Sequence, residues 1–119
     1  MKEVTKWFGE QGWRPQAFQK ECWKAYAQGL NGMLHAPTGT GKTFALWGGI
    51  LQEAFHVKKH PTGVQALWLT PLRALAVEIQ QATQRMTTDL IPDLRVALRT
   101  GDTSQSERAK QKRKPSFGL

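Results

Sequence analysis

At 119 residues the chain holds one small core at most, and a composition of 39% hydrophobic and 22% charged residues is that of an ordinary globular domain. A single cysteine, Cys22, excludes an internal disulfide and a thiolate metal cluster; no stretch has the apolar length of a membrane span, and Met1-Lys2-Glu3-Val4 lacks the apolar core of a signal peptide, so the expected location is cytoplasmic. The net charge of +8 calls for a polyanionic partner. Without a basic amphipathic helix bearing aromatic anchors, or a lipidation signal, that partner is nucleic acid rather than a membrane.

In chain order, Val4, Trp7 and Phe8 recur at helical spacing and predict a first helix ending near Gly12. Pro15 suits the first position of a second helix, with Phe18, Cys22, Ala25 and Tyr26 on its core face and Gly29 as its stop. On that face Cys22 is expected to be an inert thiol. A short strand is predicted to end at Ala36, a helix to cover Phe44 to Phe55, and a polar loop to run from His56 to Gly63. Val64 to Leu69 reads as a strand covered on both faces. Leu72, Leu75, Ala76, Ile79, Thr83 and Met86 then predict a long helix after Pro71, followed by a turn around Pro92 and a third strand over Arg95 to Arg99. Ser104 and Glu107 form a capping-box pattern that opens a basic helix carrying Arg108, Lys110, Lys112, Arg113 and Lys114. Strands alternating with helices predict an α/β domain with a parallel sheet and helices on its faces.

The chemistry concentrates at Ala36-Pro37-Thr38-Gly39-Thr40-Gly41-Lys42-Thr43. Glycines at 39 and 41 let the backbone turn its N–H groups toward phosphate oxygens, and the following helix adds its positive N-terminal end. Lys42 has the reach for the β- and γ-phosphates, and the Thr43 hydroxyl suits Mg²⁺. Residues 37–43 are therefore expected to hold the phosphates of a nucleotide, with Lys42 and Thr43 as the catalytic pair and Thr43 the metal ligand. Ala36 stands where the general pattern has its first glycine, a position that needs no positive φ if the turn begins at Pro37. The histidines His35, His56 and His60 share no ligand spacing, so no further metal site is expected.

Three more blocks flank this loop. Gly12-Trp13-Arg14-Pro15-Gln16-Ala17-Phe18-Gln19 precedes it; Thr70-Pro71-Leu72-Arg73-Ala74-Leu75-Ala76 and Arg99-Thr100-Gly101-Asp102-Thr103 follow. Together they resemble the first motor domain of superfamily-two DEAD/DEAH (DEXH)-box helicases, and most resemble the bacterial ligase-associated DEXH-box DNA helicases, relatives of the large helicase-related proteins. The resemblance implies a RecA-like P-loop fold with ATP as its nucleotide, and the first block as the Q-motif region, where Gln19, or less well Gln16, reads adenine through an amide able to donate and accept. It also implies that Pro71 and Arg73, and then Thr100, Gly101 and Thr103, contact the backbone of one nucleic-acid strand, most simply DNA. A role in DNA repair and association with a DNA ligase and a nuclease follow from the same resemblance.

Hydrolysis by a P-loop enzyme needs an acidic residue for Mg²⁺ and a group to position water. The aspartates are Asp89, Asp93 and Asp102, and no Asp-Glu pair exists in the sequence. The expectation is thus that residues 1–119 are the N-terminal part of helicase domain 1, lacking the Walker B strand onward and any second domain, and inactive alone. Two other readings stand beside it: a small P-loop kinase or NTPase, and a noncatalytic nucleic-acid-binding remnant of a helicase.

Overall fold

Trp7 and Phe8 follow Val4 by three and four positions, which places all three on one helical face. In a computed structural model, which describes residues 2–36, 41–57, 63–101 and 103–113, they are the buried face of α1, Lys2–Glu10. Gly12, at φ 79°, turns the chain out of this helix as expected. The chain divides into two compact units, Met1–Lys58 and Lys59–Leu119.

In the first unit α2 spans Ala17–Ala27 and α3 spans Lys42–Phe55, and α3 packs against both α2 and α1. Pro15 precedes the second helix rather than starting it, because Gln16 is extended at φ −83°, ψ 159° and serves as its N-cap. The buried face also differs from expectation. Gln19 and Trp23, one helical turn apart, are the buried residues of α2, whereas Tyr26 is exposed and Phe18, Cys22 and Ala25 are half-buried along a groove. The cause is the indole of Trp23, whose N–H donates to the Phe44 carbonyl at 3.0 Å and draws that face of α2 onto α3. Gly48 makes room: a Cβ there would lie 2.5 Å from Trp23 Nε1. Around this contact Phe8 meets Trp23 edge-on at 5.4 Å between centroids, and Trp7, Trp13 and Phe44 extend the cluster.

The second unit is built on α4, Arg73–Leu90, and α5, Gln105–Arg113. Ala76, Ile79, Thr83 and Met86 are buried as the periodicity predicts, whereas Leu72, the N-cap, and Leu75 from the same series are exposed; Ile91, Leu94 and Val96 are buried as well. The buried hydroxyls of Thr83 and Thr87 donate to the carbonyls of Ile79 and Thr83, which removes the cost of burying them.

Three strands are expected and none is present among the described residues. Burial over 64–70 explains part of the difference: Ala66, Trp68 and Thr70 are half-buried while Leu67 and Leu69 stand out, so the segment keeps a two-residue alternation but is covered on one face only. Over 94–100, helix side chains take the backbone groups a neighbouring strand would use. Gln80 donates to the Val96 carbonyl at 3.0 Å, Gln84 accepts from the Val96 N–H at 2.8 Å, and Gln111 donates to the Leu98 carbonyl at 3.0 Å.

Candidate nucleotide and nucleic-acid sites

Gly41 begins α3 at φ 92°, the left-handed region that favours glycine, and leaves Lys42 and Thr43 as the first two helical residues, both half-buried. The N–H groups of such a first turn have no partner inside the helix. Gln19 lies over this start. Its Nε2 donates to the Gly41 carbonyl at 3.1 Å, and its Oε1 accepts the Gln16 N–H at 2.9 Å. The amide is 3% exposed, and a Cβ on residue 41 would meet it at 2.5 Å. The sequence-assigned Gln19 and Gly41, 22 residues apart, are thus brought together. Pro37, Thr38, Gly39 and Thr40 lie outside the described residues.

Beside this contact is a cavity of ≈ 310 Å³ lined by Phe8, Trp13, Arg14, Gln16, Gln19, Gly41 and Phe44. Its volume is at the small end for ligand pockets, about 300 to 1,000 Å³. Trp13 and Phe44 offer ring faces, Gln16 an exposed amide, and Arg14 a cation. This chemistry fits a purine with phosphates continuing toward the start of α3. Cys22 lies away from it on α2; burial, and secondarily Glu21, push its thiol pKa upward, as an unreactive thiol requires.

In the second unit the Thr70–Ala76 block and the 98–101 segment converge on a cavity of ≈ 350 Å³. Arg73, the first residue of α4, sits against Gly101, where a Cβ would come within 2.8 Å of its Nη2. Pro71, Arg73, Thr100 and Gly101 all line this cavity, and so does Thr70, whose buried hydroxyl makes no hydrogen bond among the described residues. Thr103 closes the adjacent turn, its N–H donating to the Thr100 carbonyl at 3.2 Å and its Oγ1 accepting the Thr100 N–H at 2.8 Å. Asp102 lies outside the described residues.

Sequence reasoning missed the part played by Thr70 and the side chains that fix the 94–103 segment. The pair Gln80 and Gln84, spaced by four on one face of α4, carried a readable signal for the last of these. Among the described residues no cluster of His, Cys, Asp or Glu could hold a metal ion, and no helix is long and apolar enough to cross a membrane.

A left-handed glycine beneath a buried glutamine thus begins α3, and the Arg73 block and a Thr-Gly turn line a second cavity. The chain belongs to the DEAD/DEAH box helicase family, which it matches over residues 16–117. It is 32% identical over 117 residues to the Lhr helicase/probable uracil glycosylase of Mycolicibacterium smegmatis, covering 88% of this chain and 8% of that protein. To the ATP-dependent helicase Lhr-Core of Saccharolobus solfataricus it is 32% identical over 121 residues, covering 94% and 14%. Among solved structures it resembles Mycobacterium smegmatis helicase Lhr bound to ssDNA and AMP-PNP, with a TM-score of 0.71 and 27% identity over 97% of this chain and 16% of that one. Family and likeness together give the chain a RecA-like fold. It spans only a small part of the proteins it matches.

Proposed function

We propose that these 119 residues are the N-terminal part of the first RecA-like domain of an ATP-dependent DNA helicase, carrying its nucleotide and strand contacts, and that they bind ATP without cleaving it. The observation that carries the reading is the bond from Gln19 to Gly41, because it joins the adenine-side block to the phosphate end of the site. In this reading residues 37–43 cradle the phosphates, Lys42 offsets their charge, and Thr43 ligates Mg²⁺. Bound ATP with Mg²⁺ supplies the phosphoanhydride whose cleavage drives a motor. Gln19 positions Gly41 and borders the base, while Pro71, Arg73, Thr100, Gly101 and Thr103 hold one strand through its phosphates. DNA rather than RNA, a role in repair, a cytoplasmic location, and association with a ligase and a nuclease belong to the same proposal and rest on the family resemblance. The lack of any Asp-Glu pair in the sequence supports binding without hydrolysis.

Titration with a fluorescent ATP analogue in Mg²⁺ tests the site. The chain should bind, and Lys42→Ala should weaken binding at least about tenfold, the scale of one charge-assisted contact. Equal affinity of the two proteins would remove Lys42 from the phosphates. Phosphate release in the presence of single-stranded DNA should not rise above background, and release abolished by Lys42→Ala would show that the chain hydrolyses ATP after all.

A further inference from the structure

Arg108 stands in the basic run that the sequence offers as a polyanion-binding surface, yet its guanidinium is engaged inside the protein. Nη2 donates to the Thr100 carbonyl at 2.9 Å and Nε to the Thr103 carbonyl at 3.2 Å. The same two residues close the turn on themselves through the Thr103 N–H and Thr103 Oγ1. Arg108 is in turn fixed by α5. Ser104 Oγ accepts the Glu107 N–H at 3.1 Å, the Arg108 N–H donates to the Ser104 carbonyl at 2.9 Å, and Arg99 donates to the Arg108 carbonyl at 3.3 Å. The turn thereby keeps Gly101 against Arg73 at the cavity that Thr70 also lines.

We infer that Arg108 is a positioning residue for strand binding, holding the Thr100–Thr103 turn in place for the phosphate contacts rather than contacting a phosphate itself. The inference rests on the strand-binding reading above. Its chemical basis is the shape of the group: a planar guanidinium presents donors in a fixed fork that reaches two carbonyls at once, whereas a lysine ammonium is a point donor on a flexible stem. Lysine at this position keeps the charge and loses the fork.

The test measures affinity for a labelled single-stranded oligothymidylate against salt concentration, for the full chain and for Arg108→Lys and Arg73→Ala, with amide hydrogen exchange at Thr103. Arg73→Ala should lower the magnitude of the salt slope by about 0.7, the value of one single-strand phosphate contact. Arg108→Lys should bind about tenfold more weakly, consistent with loss of one charge-assisted hydrogen bond, with an unchanged slope and faster Thr103 exchange. Affinity equal to that of the unsubstituted chain, or a slope reduced as in Arg73→Ala, would overturn the positioning role while leaving strand binding intact. Unchanged Thr103 exchange would overturn it whether or not DNA binds. If the unsubstituted chain fails to bind the oligonucleotide, the strand-binding reading falls and this inference falls with it.

Discussion

Gly48 illustrates how one residue sets the packing of the first unit. A Cβ at this position would lie 2.5 Å from Trp23 Nε1 and 2.8 Å from Cε2, and both belong to a rigid, fully buried ring. Replacing a helical glycine by alanine gains about 1 kcal/mol in backbone propensity. Overpacking of a filled site costs about 1 to 3 kcal/mol, and losing the indole bond to the Phe44 carbonyl adds about 1 kcal/mol. Gly48→Ala is therefore expected to destabilise the chain by about 1 to 3 kcal/mol, read as a lower urea midpoint with an unchanged denaturant slope. A raised midpoint would mean that α2 shifts freely and that the Trp23 contact is dispensable. Gly48 was not legible as a packing residue, since glycine in an apolar helix reads the same whether a neighbour approaches or not. Gly41 was legible, because the loop chemistry on either side demanded it.

At the level of elements, the tie between α1 and α3 is a buried glutamine. Gln52 Oε1 accepts the Val4 N–H at 3.2 Å, and its Nε2 donates to the Glu3 carboxylate, with His56 nearby. The Gln52 amide and then Glu3's own backbone N–H hold the Glu3 carboxyl below its ordinary pKa against the opposing effect of burial, and the charge of His56 adds less. A depressed folded-state pKa means the unfolded chain binds the proton more readily, so this contribution is complete above the ordinary carboxylate range and disappears as pH falls through it toward the folded value. Glu3→Gln should accordingly be less stable than the unsubstituted chain at neutral pH, with the difference shrinking once the pH falls below the ordinary glutamate pKa of about 4.3. Unfolding curves for both proteins across pH 3 to pH 7, a span of about 4 pH units around that value, decide the matter. A difference that persists undiminished in acid would assign it to something other than the Glu3 charge. The helices themselves were legible: the 3.6-residue recurrence of Ala76, Ile79, Thr83 and Met86 places α4 correctly, and Ser104 caps α5 as its pattern predicts. The strands were not realised, because a strand is defined by a neighbour rather than by its own residues. Over 94–100 the backbone groups of Val96 and Leu98 are met by glutamines, a substitution that no apolar alternation can announce.

For the molecule as a whole, apolar residues of the first two expected strands are left bare: Met33, Leu67 and Leu69 are 84%, 69% and 82% exposed. A RecA-like fold places such residues under helices on both sheet faces, and the proteins to which this chain is similar have many more residues with which to do so. Exposed apolar surface favours association, while a net charge of +8 opposes it. Salt screens the second effect and leaves the first intact. The chain at about 100 μM, within the range where exposed apolar surface drives aggregation, should therefore be more associated in high salt than in low salt by sedimentation velocity. Strand binding through phosphates must show the opposite salt dependence, which separates the two processes in one series of buffers. Leu67→Gln with Leu69→Gln should reduce the salt-promoted association and leave the helical circular dichroism unchanged. Association that weakens with salt, or that is indifferent to the two leucines, would place its cause in charge pairing rather than in these bare apolar side chains.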